Sequence, residues 1–259
     1  MKYLFSLLFT FPLFGIFVSN PSDTHLFQDG FFLGKCDWLT FRLGYVNEYV
    51  LKSRCKYEFQ REGEPTEKLD AEMLNYYGVA TFNILSRLDL KVIGGSVRME
   101  IDEQIFPKRE PAWGVGAALL LFKSCLFDFT IDGKYLCSYQ KPTYFVIEDM
   151  LAPLVDTKLQ LDYEEWQVSL AMSYKTDCII PYIGVTYFDC RLKPNCYDLL
   201  VTLPNIPFLF DVTYKSFNSR KNWGLVLGAS IYACDRASLT IEARNFDQTS
   251  VNGILQVRF

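Results

Sequence analysis

The chain has 259 residues, half of them apolar, with 22 Phe, 16 Tyr and a net charge of −4 at neutral pH. That length suits one large β-domain or two small ones. The mild negative charge and the lack of any polybasic stretch exclude nucleic acid as a main partner, because a phosphate-binding surface needs a basic excess.

The first segment reads as a secretory signal. Lys2 supplies the positive end, and Leu4 to Val18 is almost wholly apolar. Gly15 and Ser19 are small enough to precede a cleavage point, so residues 1–15 form the signal, with 19 as the latest end. A spanning helix needs about 20 apolar residues, and Pro12 interrupts this run. Residues 16–259 then form a single domain, of which 16–37 is a periplasmic lead-in.

Beyond the lead-in, apolar and polar residues alternate over spans of about ten positions, the pattern of a transmembrane β-barrel. Trp166, Val168, Leu170, Met172 and Tyr174 share one face of a strand, and Trp223, Leu225, Leu227, Ala229 and Ile231 share another. Twelve strands are expected, at 39–59, 72–84, 88–101, 113–122, 125–139, 164–174, 179–190, 197–203, 207–215, 223–232, 238–245 and 251–259, and counts from ten to sixteen are compatible with the pattern. The first is long enough to hold a bulge. In 88–101 the apolar face passes from Leu90 and Val92 to Val97, Met99 and Ile101 across Gly94-Gly95, which predicts a second bulge there.

Connections after even-numbered strands are short and those after odd-numbered strands are longer or more polar. Short periplasmic turns and longer external loops are the outer-membrane arrangement. The predicted fold is therefore all-β: an antiparallel transmembrane barrel in the outer membrane, with outer-membrane lipid as its surroundings. Trp38, Trp113, Trp166 and Trp223 lie near strand ends, where interfacial aromatic girdles sit.

Polar residues at alternate positions are expected to line the lumen: Arg42, Arg98, Glu100, Glu242, Arg244, Gln256 and Arg258. They would either set ion selectivity through their local field or pair with one another and fill the interior. Eight-stranded barrels are filled by side chains and those of sixteen or more leave a channel, so twelve strands decide neither way. The last strand carries Val251, Gly253, Leu255, Val257 and the terminal Phe259 on one face. Such a strand closes the barrel and serves as the signal to the barrel assembly machinery.

Eight cysteines follow the signal: Cys36, Cys55, Cys125, Cys137, Cys178, Cys190, Cys196 and Cys234. An even number in an exported protein points to disulfides. Cys190 and Cys196 are spaced to close a local loop. No C-x2-C pair occurs and His25 is the sole histidine, so neither a metal site nor a catalytic triad is expected, and no cofactor is implied.

Several runs, taken in order, resemble the chlamydial major outer membrane protein family of porins. They are V-S-N-P-S at 18–22, F-R-L-G-Y at 41–45, F-N-I-L-S-R-L-D at 82–89, A-W-G-V-G-A at 112–117, D-Y-E-E-W-Q-V-S-L-A-M-S-Y at 162–174, P-Y-I-G-V at 181–185, S-R-K at 219–221 and V-R-F at 257–259. The chain is much shorter than that family, as a compact paralogue with trimmed external loops would be. The resemblance implies passive diffusion of small hydrophilic solutes or ions, with no catalysis. It also implies a disulfide-linked envelope, in which rim cysteines bridge to copies of this chain or to other cysteine-rich envelope proteins. The alternative is a barrel that stiffens the envelope or presents a surface without conducting.

Overall fold

The computed structural model describes residues 18–23, 38–59, 67–101, 105–147, 150–153, 160–176, 179–194, 198–203, 206–211, 214–232 and 236–259. The strands among them are β1 (Leu39–Phe59), β2 (Glu67–Ile84), β3 (Leu88–Ile101), β4 (Ile105–Pro107), β5 (Glu110–Lys123), β6 (Phe127–Gln140), β7 (Pro142–Ile147), β8 (Met150–Pro153), β9 (Leu161–Tyr174), β10 (Ile179–Pro194), β11 (Asp198–Leu203), β12 (Ile206–Asp211), β13 (Tyr214–Ser219), β14 (Trp223–Tyr232), β15 (Ala237–Asn245) and β16 (Gln248–Arg258).

Ten of them close a ring of antiparallel pairs: β1, β2, β3, β5, β6, β9, β10, β14, β15, β16 and back to β1. The seam that closes it pairs Arg42 with Arg258 and runs to Ser53 with Gln248. Two of the twelve expected strands are not in this ring. The segments predicted at 197–203 and 207–215 contain β11 and β12, which pair only with each other as a separate hairpin. At six residues each they are too short to span a bilayer, which takes about 9–11 residues. Alternation alone could not reveal that.

The turns at one end are short: 85–87 between β2 and β3, and 124–126 between β5 and β6. β4, β7, β8 and the β11–β12 hairpin all belong to connections at the other end. By the outer-membrane rule the first end is periplasmic and the second external. The two ends also differ in girth. β14, β15 and β16 stop early, and above them β13 alone joins β1 to β10, pairing Cys55 with Ser219 on one side and Arg191 with Asn218 on the other. The outer end is therefore an eight-stranded collar on a ten-stranded barrel.

The long first strand does contain a bulge, where its register against both neighbours shifts between Val50 and Ser53. The bulge expected at Gly94-Gly95 is absent, because β3 pairs with β2 and β5 through this point without a shift. One face stays inward throughout, carrying Asp89, Lys91, Ile93, Val97, Met99 and Ile101. What changes is the chemistry of the interior, polar toward the periplasmic end and apolar toward the external end. Gly95 has its own reason to be glycine, since a Cβ there would lie 1.9 Å from the Tyr76 carbonyl oxygen. Gly95→Ala is expected to lower unfolding stability by about 1–3 kcal/mol, as overpacked positions do, measured by urea titration of the detergent-folded barrel.

The outward face is apolar in mid-barrel, with Leu43, Val92, Val115, Leu170, Ile183 and Leu227 among its exposed residues. Aromatic residues mark two levels. Trp166, Tyr187 and Trp223 stack in series at 5.2 Å between successive ring centroids on the external side. Phe41 contacts Phe82 and Phe259 on the periplasmic side, and Phe127 contacts Tyr174. Trp38, Trp113, Trp166 and Trp223 are all exposed. These are the girdles of a membrane barrel, whose amphipathic rings sit at the two lipid–water boundaries.

Candidate functional site: the barrel lumen

The lumen is built in two layers. The periplasmic half is lined by charges that alternate along the strands, and these meet in buried ion pairs. Arg42 pairs with Asp89, whose other oxygen accepts from Asn83 Nδ2 at 2.6 Å. Lys91 and Lys134 converge on Asp132, and Lys175 lies 2.8 Å from Asp128. A further buried pair stands at the external ends of β15 and β16, level with the aromatic girdle there: Arg244 pairs with Asp247 of the turn between these strands, donates to Gln167 Oε1 at 2.6 Å and lies over the Phe188 ring.

Residues 18–23 run into this polar half and occupy it. The Val18 amide donates to both carboxylate oxygens of Glu242, at 2.9 and 2.8 Å. Asn20 Nδ2 donates to the Ile180 carbonyl and to Ser230 Oγ, and Lys91 donates to Ser19 Oγ. Ser22 Oγ donates to Asp128 at 2.8 Å. Asp23 accepts from Tyr232 at 2.5 Å and from Gln256 at 2.9 Å, while its carbonyl accepts from Arg42. The chain thus satisfies its own wall with its own N-terminal segment. This corrects the reading of 16–37 as a periplasmic lead-in for its described part, 18–23, which lies inside the barrel. The cavity beside it, bordered by Ser19, Asp23, Arg42 and Lys91, measures about 10 Å³, space for one water at most.

The external half is filled by an apolar layer that includes Val50, Met73, Val97, Met99, Leu192 and Phe217, all buried. A cavity of about 20 Å³ lies within it, lined in part by Cys55, Tyr163, Cys190 and Phe217. Two carboxylates, Glu48 and Glu165, are buried near the join of the layers, held by Asn75 and the Tyr163 hydroxyl respectively.

Of the residues expected to line the lumen, Arg42, Glu242, Arg244, Gln256 and Arg258 are buried on the inward face. Arg98 and Glu100 are not there. They project outward from β3 above the apolar belt and pair with each other in solvent, with side chains 47 and 32% exposed. The inward positions beside them are Val97, Met99 and Ile101, so the expectation failed because this end of the lumen is apolar. Sequence reading missed Glu48, Asp89, Lys91, Asp128, Asp132, Lys134 and Glu165. A usable signal exists in the period-two spacing of Asp128, Thr130, Asp132 and Lys134 on β6.

Val251, Gly253, Leu255, Val257 and Phe259 lie on or directly after β16, which closes the ring. Among the cysteines, Cys55 and Cys190 face each other within the apolar layer, where Ser219 Oγ donates to Cys190 Sγ at 3.2 Å. Cys196, the expected partner of Cys190 in a local loop, lies outside the described residues. Cys137 is buried, and its thiol lies 3.7 Å from the Trp113 carbonyl. Cys125 is exposed on the 124–126 turn. Cys36, Cys178, Cys196 and Cys234 lie outside the described residues.

A closed antiparallel ring with an apolar outer band and two aromatic girdles defines an outer-membrane β-barrel. The family model described as Chlamydia major outer membrane protein matches residues 152–206. The major outer membrane porin, serovar B, of Chlamydia trachomatis is 23% identical over 370 aligned positions, covering 93% of this chain and 94% of that protein. A major outer membrane porin of Chlamydia psittaci is 31% identical over 137 positions, 42% of this chain and 35% of that one. Among solved structures, the translocator domain of the autotransporter NalP from Neisseria meningitidis aligns with a TM-score of 0.49 at 8% identity, covering 87% of this chain and 89% of that one. The chain is thus similar, at low identity and along most of its length, to chlamydial major outer membrane porins, and it is an outer-membrane β-barrel. The 370 aligned positions exceed its 259 residues by more than a hundred, so long stretches of the relative have no counterpart here.

Proposed function

We propose that this barrel is a porin-type envelope component that rests closed. Its main contribution is as a rigid outer-membrane element, and passage of small hydrophilic solutes is confined to states in which both lumen layers are displaced. The observation that carries this reading is the filling of the lumen along its length, by residues 18–23 in one half and by the apolar layer in the other. An apolar constriction of this kind excludes water and ions even where its geometric gap is small. Steady diffusion is the second reading, and it is favoured by the porin names of the relatives.

Closing of the ring by β16 supports its role as the strand that the assembly machinery engages. The exposure of Cys125 on a periplasmic turn makes it the described cysteine best placed to bridge to a neighbouring protein. Planar-bilayer recordings of the purified, folded chain test the main reading. No steady conductance is expected at low voltage. Stable, discrete openings in most insertions would overturn it in favour of steady diffusion.

A further inference from the structure

The step from ten strands to eight leaves a recess on the outside of the barrel. It lies where β13 alone spans from β1 to β10, above the ends of β14–β16. Its cavity measures about 420 Å³ and is lined by Lys56, Asp189, Arg191, Lys193, Ser216, Asn218, Ser219 and Asn222.

The side chains of Lys56, Asp189, Arg191, Lys193 and Asn218 face outward, as the alternation in each strand shows, while the Ser219 hydroxyl turns inward to Cys190. Phe188, Cys190 and Leu192 are buried in the lumen, whereas Arg191 and Lys193 are exposed between and beyond them. Cys55 and Phe217 point inward, with Lys56 and Asn218 on the opposite face. Register sets Lys56, Asn218 and Arg191 side by side across three strands. Ser216 stands one row further out, across from Glu58. Asp189 is engaged by Asn222, which donates to it at 3.2 Å. Arg220 and Lys221, both exposed, lead from β13 toward β14.

The height of the recess is fixed by the girdle beneath it. Tyr187 pairs with Trp223 in register and stacks against it and Trp166. Residue 191 is four positions further out, about 13 Å at 3.3 Å per residue. Lipid headgroups begin at the level of the aromatic girdle. The cations therefore stand at the level of the outer-leaflet headgroups, with Glu164 across from Arg191 and Asp162 across from Lys193 on the β9 side. Because it lies on the outer wall at that level, the recess has the headgroups of the outer leaflet as its neighbours.

We infer that the recess between β1, β13 and β10 binds the phosphorylated sugar headgroup of an outer-leaflet glycolipid, with Lys56, Arg191 and Lys193 on its phosphates and the Ser216 and Asn218 side chains on its hydroxyls. Arg forms bidentate bonds to phosphate, and each Lys or Arg near an anionic lipid surface adds about 1 kcal/mol, roughly fivefold in affinity. This site is independent of whether the lumen conducts.

The test is binding of bisphosphorylated lipid A to the detergent-folded full barrel, by native mass spectrometry and by competition with a fluorescent lipid A. The probes run in parallel are fully dephosphorylated lipid A, inorganic phosphate and a soluble sulfated polysaccharide. The variant is Lys56→Ser/Arg191→Ser/Lys193→Ser, whose substitutions lie on the solvent face. Heat-modified gel migration checks that it folds. Retention of bisphosphorylated lipid A, at least tenfold weaker without its phosphates and at least tenfold weaker in the variant, is the expected result. Equal binding with and without phosphates, or by the folded variant, overturns the proposal. Displacement by inorganic phosphate at equal concentration assigns the recess to a free anion instead, and preferential capture of the polysaccharide assigns it to an external glycan. Either outcome rejects the lipid.

Discussion

Deletion of residues 18–23 alone is expected to leave the barrel non-conducting, whereas the same deletion combined with Leu192→Ser and Phe217→Ser is expected to give discrete openings in planar bilayers. The two layers lie in series along one path, so either one suffices to block it. Removing the segment frees the polar wall at Glu242, Ser230, Asp128 and Gln256, and water fills that half. The path still ends at Val50, Met73, Met99, Leu192 and Phe217. Replacing Leu192 and Phe217, which pair with each other's strands across the collar, removes two of the largest side chains of that layer and lets it wet. Each outer substitution is expected to cost about 2–4 kcal/mol of stability as a large-to-small change in a packed interior, so heat-modified gel migration must show folded protein before recording. Steady conductance after the deletion alone would mean that the apolar layer is no barrier. Silence from the folded combined variant would place the block elsewhere.

Asp89→Ala is expected to destabilise the barrel by about 3–5 kcal/mol, the usual consequence of leaving one charge of a buried pair behind. Arg42 and Asp89 have side chains 2 and 1% exposed, so the orphaned guanidinium could not be rescued by bulk water. Asn83 would lose its acceptor as well. The paired change Arg42→Met/Asp89→Leu should recover most of the loss, because it removes both charges together and fills the volume with apolar groups. Equilibrium urea unfolding, followed by gel migration, reads both variants. A double variant as unstable as the single one would show that the pair matters through its contact with Asp23 rather than through charge balance.

The class of fold was legible because a membrane barrel writes itself twice, once as period-two alternation and once as short connections gathered at one end while the longest lie at the other. Trp166 to Tyr174 and Val251 to Phe259 carry the first signal clearly. The interior was legible only in part. Glu242 and Arg244 alternate with Ile241 and Ala243, so their inward direction follows directly. Arg98 and Glu100 alternate just as cleanly with Val97, Met99 and Ile101, yet they face the other way, because above the membrane the polar face looks out to water. The break at Gly94-Gly95 was the visible trace of that reversal. It looked like a change of phase in the backbone and was a change of solvent on either side of the wall. The role of 18–23 was not legible at all. Val-Ser-Asn-Pro-Ser-Asp has no periodicity, and its partners, such as Glu242 and Ser230, lie more than two hundred residues away.

The eight-stranded collar hangs on an uneven hinge. β13 makes five register pairs with β1 but only two with β10, while the wall below it is joined by full-length ladders. Local opening takes the weakest cooperative unit first, and here that unit is a six-residue flap with the longer ladder along β1 and, along β10, a short ladder reinforced by the Ser219 contact with Cys190. Its detachment from β10 would carry Phe217 out of the apolar layer and uncover the Cys190 thiol now bonded to Ser219. The collar that narrows the barrel is thereby also its latch, and the latch swings from the β1 side.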